Sequence, residues 1–141
     1  MGDIKFLNVD LEVVARQPLD ALIDDLGEDV AVLYHGTAKD NRWMVSFELN
    51  TGRTESAESA IDGFCELLDY LEAEAKAVWD SAVSRTFDIG YESDTKPRSF
   101  QSVIHPQMIE RIAALNAGIV VTIYPPVKND PVADTQGVTG E

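Results

Sequence analysis

The stretch LDALIDDLGEDVAVLYHG, residues 19–36, decides the fold of this chain, because its pattern recurs in MIERIAALNAGIVVTIYP, residues 108–125. In both stretches apolar residues first fall three or four apart and then alternate, which predicts a short helix followed by a strand. Gly27 and Asn116 stand where the pattern changes, and both residue types accept the left-handed conformation that ends many helices. The sequence therefore predicts two helix–strand units of the same design, offset by 89 positions.

Three further segments alternate apolar and polar residues with the period of two that a half-buried strand requires. They are residues 7–13, 43–49 and 87–91. The polar segment HGTAKDNR, residues 35–42, separates the strand at 30–34 from the strand at 43–49. A polar turn between two such strands predicts a hairpin.

Residues 56–82 are predicted to form one long amphipathic helix. Apolar residues recur at spacings of three and four from Ile61 to Ala82, which is the stripe of a helix with one buried side. Thr54 and Ser56 are both suitable N-caps for it. At about 1.5 Å per residue such a helix is about 40 Å long and crosses most of a small domain.

The order of these elements predicts an α+β two-layer sandwich, with helices packed on one face of a largely antiparallel sheet. The first six elements follow the ferredoxin-like order, and a further helix and strand come after them. We expect residues 1–125 to form one domain. The last residues, 126–141, contain too little apolar surface to offset their ordering entropy and are predicted to be a disordered tail.

The charge of −14 is unevenly distributed along the chain. Residues 1–94 hold 21 Asp and Glu against 7 Lys and Arg, whereas residues 95–141 hold 4 of each. An acidic protein repels phosphate backbones, so we expect no nucleic-acid partner. No apolar run is long enough for a membrane span and the N-terminus lacks a signal-peptide pattern, so we expect a cytoplasmic protein without a membrane partner.

Acidic residues recur along one side of the predicted long helix, opposite its apolar stripe. Like charges at helical spacing repel one another, and an ordinary exposed helix would intersperse lysines. A helix that faces a basic protein would tolerate this repulsion, which favours a non-catalytic binding module. A generally acidic, merely solubilising composition is the alternative explanation. We call this set the acidic helix surface: Glu55, Glu58, Asp62, Glu66 and Asp69.

The chain shows no pattern typical of a catalytic, cofactor or metal site. His35 and His105 have no second histidine or cysteine at ligand spacing, and Cys65 falls on the apolar stripe, where a buried inert thiol is expected. Two groups of acidic residues are also set aside. The first, at residues 24–29, lacks the spacing of a calcium loop, and the second, at residues 88–94, is expected to face solvent from a strand. These groups are Asp24, Asp25, Glu28 and Asp29, and Asp88, Glu92 and Asp94.

A second function remains open at this point. A small enzyme or ligand-binding domain would hold a pocket between sheet and helices, for which Tyr34, His35, Tyr91 and Tyr124 are the candidate lining residues. A homodimer formed through an exposed sheet edge or through the Trp43 strand is compatible with either function, and so is a monomer.

Four segments together resemble a family of small bacterial domains of unknown function: RWMVSFEL, the predicted long helix, FDIGYES and HPQMIERIAALNAGIVVTIYP. The resemblance spans residues 4–125. It implies a single cytoplasmic domain with no established catalytic residues and, for some relatives, a role as immunity proteins against bacterial toxins.

Overall fold

The computed structural model describes residues 3–52 and 55–127. Most of the predicted tail, and the candidate cap Thr54, lie outside these residues. The strands are β1 (Lys5–Ala15), β2 (Val30–Ala38), β3 (Arg42–Leu49), β4 (Ser84–Glu92) and β5 (Gly118–Tyr124). The helices are α1 (Asp20–Leu26), α2 (Ala57–Leu68), α3 (Ala73–Asp80) and α4 (Pro106–Ala114).

The five strands form one sheet in the order β2-β3-β1-β4-β5. The pairs β2–β3, β3–β1 and β1–β4 are antiparallel, and only β4–β5 is parallel. The predicted α+β sandwich with a largely antiparallel sheet is therefore confirmed, as is the hairpin between β2 and β3. The first four strands have the order of a split βαβ arrangement, with β1 in the centre of the sheet.

The core lies between one face of this sheet and the four helices. Val9, Leu11 and Val13 alternate along β1 on the buried face, and β3 and β4 add Phe47 and Phe87 beside Leu11. Each helix contributes buried apolar side chains to the same core. They are Leu22 and Leu26 of α1, Ile61, Phe64 and Leu68 of α2, Trp79 of α3, and Met108 and Ile112 of α4. The other face of the sheet carries no helix among the described elements.

The two helix–strand units lie at opposite ends of the sheet. Gly27 and Asn116 have positive φ values of 56° and 57°, although the ψ of −134° places Gly27 outside the predicted left-handed helical conformation. The strands that follow them, β2 and β5, are the two edge strands. Because an edge strand has one neighbour only, most apolar side chains of β2 and β5 are more exposed than the alternating pattern suggests.

The prediction of one long helix over residues 56–82 is wrong. Helix α2 begins at its N-cap Ser56, whose hydroxyl accepts a hydrogen bond from the Ser59 N–H, and ends at Leu68. The chain then turns at Tyr70, whose side chain is 84% exposed, before α3 begins. Asp25 of α1 accepts a hydrogen bond from the Glu72 N–H at 2.9 Å, at the N-terminal end of α3. The apolar spacing continues across the break because both helices bury one side in the same core.

Leu7 is a smaller departure from the predicted alternation. The pairing of β1 with β4 shifts between Phe6 and Asn8, so Leu7 is the extra residue of a bulge and its side chain is exposed. The bulge lets Phe6 pair with Tyr91, and their rings meet edge to face.

Candidate interaction surfaces

Part of the acidic helix surface contacts α4 and the residue before it, so these acids do not all face outward. Glu58 Oε1 accepts a hydrogen bond from the backbone N–H of His105 at 2.9 Å and lies 2.8 Å from His105 Nδ1. The hydrogen bonds from the imidazole and backbone of His105 lower the pKa of Glu58. This carboxylate therefore holds the residue that precedes α4.

Arg111 joins α4 to the same surface. Its two terminal nitrogens donate to Asp62 Oδ1 and to Asp69 Oδ2, the second at 3.1 Å. Glu55 accepts a hydrogen bond from the Ser59 hydroxyl at 2.7 Å. Four of the five acids that were predicted to face a basic partner, Glu55, Glu58, Asp62 and Asp69, thus already bind groups of this chain. The break after α2 also places Asp69 beyond the end of the helix.

The four candidate lining residues of the alternative pocket do not come together. Tyr34 and His35 lie on β2, whereas Tyr91 lies on β4 and Tyr124 on β5, at the other end of the sheet. Tyr91 is buried on the helix side against Phe100, at a ring distance of 5.3 Å. By their strand registers Tyr34 and Tyr124 face the other side of the sheet.

The other candidate functional residues, His35, His105 and Cys65, lie apart from one another or are buried. His35 lies on the β2 edge strand and His105 binds Glu58, so the histidines share no site. Burial raises the pKa of the Cys65 thiol to about 11, which keeps it protonated. Within residues 3–52 and 55–127 no group of three or more His, Cys, Asp or Glu is placed to hold a metal ion. In the same part of the chain no helix is long and apolar enough to cross a membrane.

The face of the sheet that carries no helix among the described elements, which we call the open face, holds a group of carboxylates of which the sequence analysis named only Asp88. The strand registers place Asp10 of β1 opposite Glu48 of β3 on one side and opposite Asp88 of β4 on the other. Glu12 lies two residues along β1 on the same face. We call Asp10, Glu12, Glu48 and Asp88 the sheet carboxylates.

Two polar side chains hold the sheet carboxylates in place. The Asn8 amide donates to Asp10 Oδ1 at 3.1 Å and to Glu48 Oε2 at 3.0 Å. The Thr122 hydroxyl of β5 donates to Asp88 Oδ1 at 2.7 Å. These neutral donors orient the carboxylates without compensating their charge.

The sheet carboxylates repel one another. Partial burial, together with the charges of Glu48, Asp88 and Glu12, raises the pKa of Asp10 to about 6. No lysine or arginine of the described chain forms a salt bridge with any of the four. The open face therefore concentrates uncompensated negative charge near the centre of the sheet.

A groove lies at the β5 edge, on the helix side of the sheet. Ile119, Val121 and Ile123 of β5 face a groove of about 350 Å³ whose other side includes Tyr91 and Phe100. Its lining is almost entirely apolar. We call this the β5 groove.

No protein-family model, no curated protein and no solved structure matches this chain. The resemblance to bacterial domains of unknown function consequently gains no support from these comparisons.

Proposed function

We propose that this protein is a non-catalytic binding module for a basic protein partner, and that the open face of the sheet is the surface that binds it. The observation that carries the proposal is the group of sheet carboxylates, which face one another on an uncovered surface and, among the described residues, form no salt bridge with a lysine or arginine. Cationic side chains of a partner would relieve this repulsion, and complementary charge would also speed the encounter.

The sheet carboxylates support this proposal better than the acidic helix surface does. Glu58, Asp62 and Asp69 hold His105 and Arg111, so a basic partner there would have to replace contacts within the chain. Such competition reduces the free energy available for binding. The sheet carboxylates bind only neutral donors, Asn8 and Thr122, and their charge remains available to a partner.

The test measures binding of a decalysine peptide to the full chain by isothermal titration calorimetry at low and high salt. The test variant combines Asp10→Asn, Glu48→Gln and Asp88→Asn. The matched control combines Asp24→Asn, Glu28→Gln and Glu74→Gln, three exposed acids that lie away from the open face. Both variants are three charges less negative than the wild type, so they separate the local effect from that of net charge.

We expect the wild type to bind at low salt and to lose affinity as salt is added, because the contact is electrostatic. The test variant should bind about tenfold more weakly, which corresponds to about 1.4 kcal/mol, and the control should change less than about twofold. An equal loss in both variants would contradict the proposal, because net charge alone would then explain binding. Absence of binding to the wild type at low salt would also contradict it.

A further inference from the structure

The edge strand β5 lacks the features that usually protect an exposed sheet edge. Its register with β4 is uninterrupted from Gly118 to Tyr124, and none of its seven residues is charged or proline. Edge strands of natural proteins are commonly blocked by lysines, prolines, bulges or short length, because an unpaired row of N–H and C=O groups pairs with another strand. β5 therefore offers a regular edge to a further strand.

The opposite edge strand, β2, is also uncharged, but its edge is irregular. Its register with β3 shifts between Val32 and Tyr34, which places a bulge in the strand. The Tyr34 hydroxyl then donates to the Thr37 carbonyl at 2.8 Å, and the ring lies over Gly36. Bulges of this kind disrupt pairing along an edge. The two edges consequently differ in their capacity to accept a strand.

Apolar side chains are exposed at β5 on both sides of the sheet: Ile119, Val121 and Ile123 beside Phe100 on the helix side, and Val120 and Tyr124 on the open face. Between 43% and 61% of the surface of each of six side chains is exposed: Phe100, Ile119, Val120, Val121, Ile123 and Tyr124. At roughly 200 Å² for a fully exposed side chain of this size, they present about 600 Å². Because pairing at the edge covers these side chains only in part, two copies would together bury at most about 1,200 Å², which is close to the roughly 1,000 Å² expected of a biological interface.

We infer that the partner of this edge is a second copy of the same chain. In the dimer, β5 pairs antiparallel with β5 of the other copy about a two-fold axis near Val121, and the two sheets become one. A two-fold axis makes such an edge complementary to itself. Each copy's β5 side chains also cover part of the other's β5 groove. This inference does not depend on the proposed function, because the sheet carboxylates lie on the other strands.

The distribution of charge agrees with a second copy at this edge. Although the chain has a net charge of −14, residues 95–141 are neutral and β5 itself is uncharged. Two copies can therefore meet at β5 with their most acidic parts apart. A basic protein would find no carboxylate on β5, so the groove does not favour the partner proposed for the open face.

Sedimentation velocity over a concentration series tests the dimer with two matched variants. Val121→Lys changes the centre of β5, and Leu33→Lys places the same charge on β2, where the side chain is similarly exposed (50% against 56% for Val121). We expect the wild type and Leu33→Lys to dimerise. Val121→Lys should raise the dissociation constant by about 100-fold, because two like charges would meet across the axis.

Oxidative cross-linking tests the arrangement without disturbing the charge. Under mild oxidation Val121→Cys should form a disulfide-linked dimer, whereas Leu33→Cys should not, and the wild-type thiol of Cys65 is buried and serves as the background. A wild type that remains monomeric throughout the series would overturn the inference. Dissociation of Leu33→Lys, or cross-linking of Leu33→Cys at the rate of Val121→Cys, would overturn it as well.

Discussion

At the scale of single residues, Asp10 shows that the negative charge of the open face lowers the stability of the fold. Its pKa is raised from 3.8 to about 6 by partial burial and by the neighbouring Glu48, Asp88 and Glu12. Because ionising Asp10 costs more free energy in the folded state than in the unfolded chain, the ionised carboxylate destabilises the fold. This penalty is absent below about pH 4, grows between about pH 4 and 6, and is complete above pH 6.

We therefore expect Asp10→Asn to stabilise the protein at pH 7. A shift of two pKa units corresponds to about 3 kcal/mol. Solvent screening at this half-exposed site reduces the expected gain to about 1 kcal/mol. The substituted amide keeps an acceptor for Asn8. Urea denaturation at pH 7 and pH 4 measures the effect, which should vanish at pH 4. The exposed control Asp24→Asn should change stability by less than about 0.5 kcal/mol, and a loss of stability in Asp10→Asn at pH 7 would contradict the prediction.

At the scale of elements, the sequence predicted β1, β3 and β4 because each of these strands has one buried side. The same pattern misled the interpretation of residues 56–82, because two helices on one core continue a single apolar stripe. No glycine or proline marks the break. Asp25 binds the Glu72 N–H across 47 positions of sequence, and such a contact leaves no local signal.

As a group, the sheet carboxylates were missed for a related reason. Asp10, Glu48 and Asp88 each stand at an ordinary polar position of an alternating strand. Only the registers of β1 with β3 and β4 bring them together, and the sequence does not specify those registers. Likewise, no pattern near α2 in the sequence indicates that Arg111 of α4 binds Asp62 and Asp69.

The contact between α2 and α4 can be measured through Arg111. The side chains of Arg111 and its partner Asp62 are 35% and 31% exposed. Those of the Lys76–Asp80 pair are 61% and 58% exposed. We expect Arg111→Met to cost about 1–2 kcal/mol of unfolding free energy, because Asp62 and Asp69 lose their hydrogen bonds from the guanidinium. Lys76→Met should cost less than about 0.5 kcal/mol.

A double-mutant cycle with Asp62→Asn separates this contact from other effects of the substitution. The coupling energy between Arg111 and Asp62 should be about 0.5–1 kcal/mol in thermal or urea denaturation. A coupling energy near zero would show that the contact between Arg111 and Asp62 does not stabilise the packing of α4 on α2.

At the scale of the whole molecule, the strand order predicts a gradient of stability across the sheet. β1 has hydrogen-bonded neighbours on both sides, whereas β5 has only β4. We expect the amide protons of Leu11 and Val13 to exchange at least about 100-fold more slowly than those of β5 in the diluted monomer. Native-state hydrogen exchange followed by NMR measures this difference. Equal protection of β1 and β5 in the monomer would contradict it.

The central place of β1 also has a consequence for synthesis on the ribosome. The first strand to emerge must wait for β3, and then for β4, which ends at Glu92. Until then its apolar side has no complete sheet to join, since closing such distant pairs is slow. Until β4 has emerged, the nascent chain thus lacks the neighbours that complete its central strand, and a pause before Glu92 prolongs that exposure.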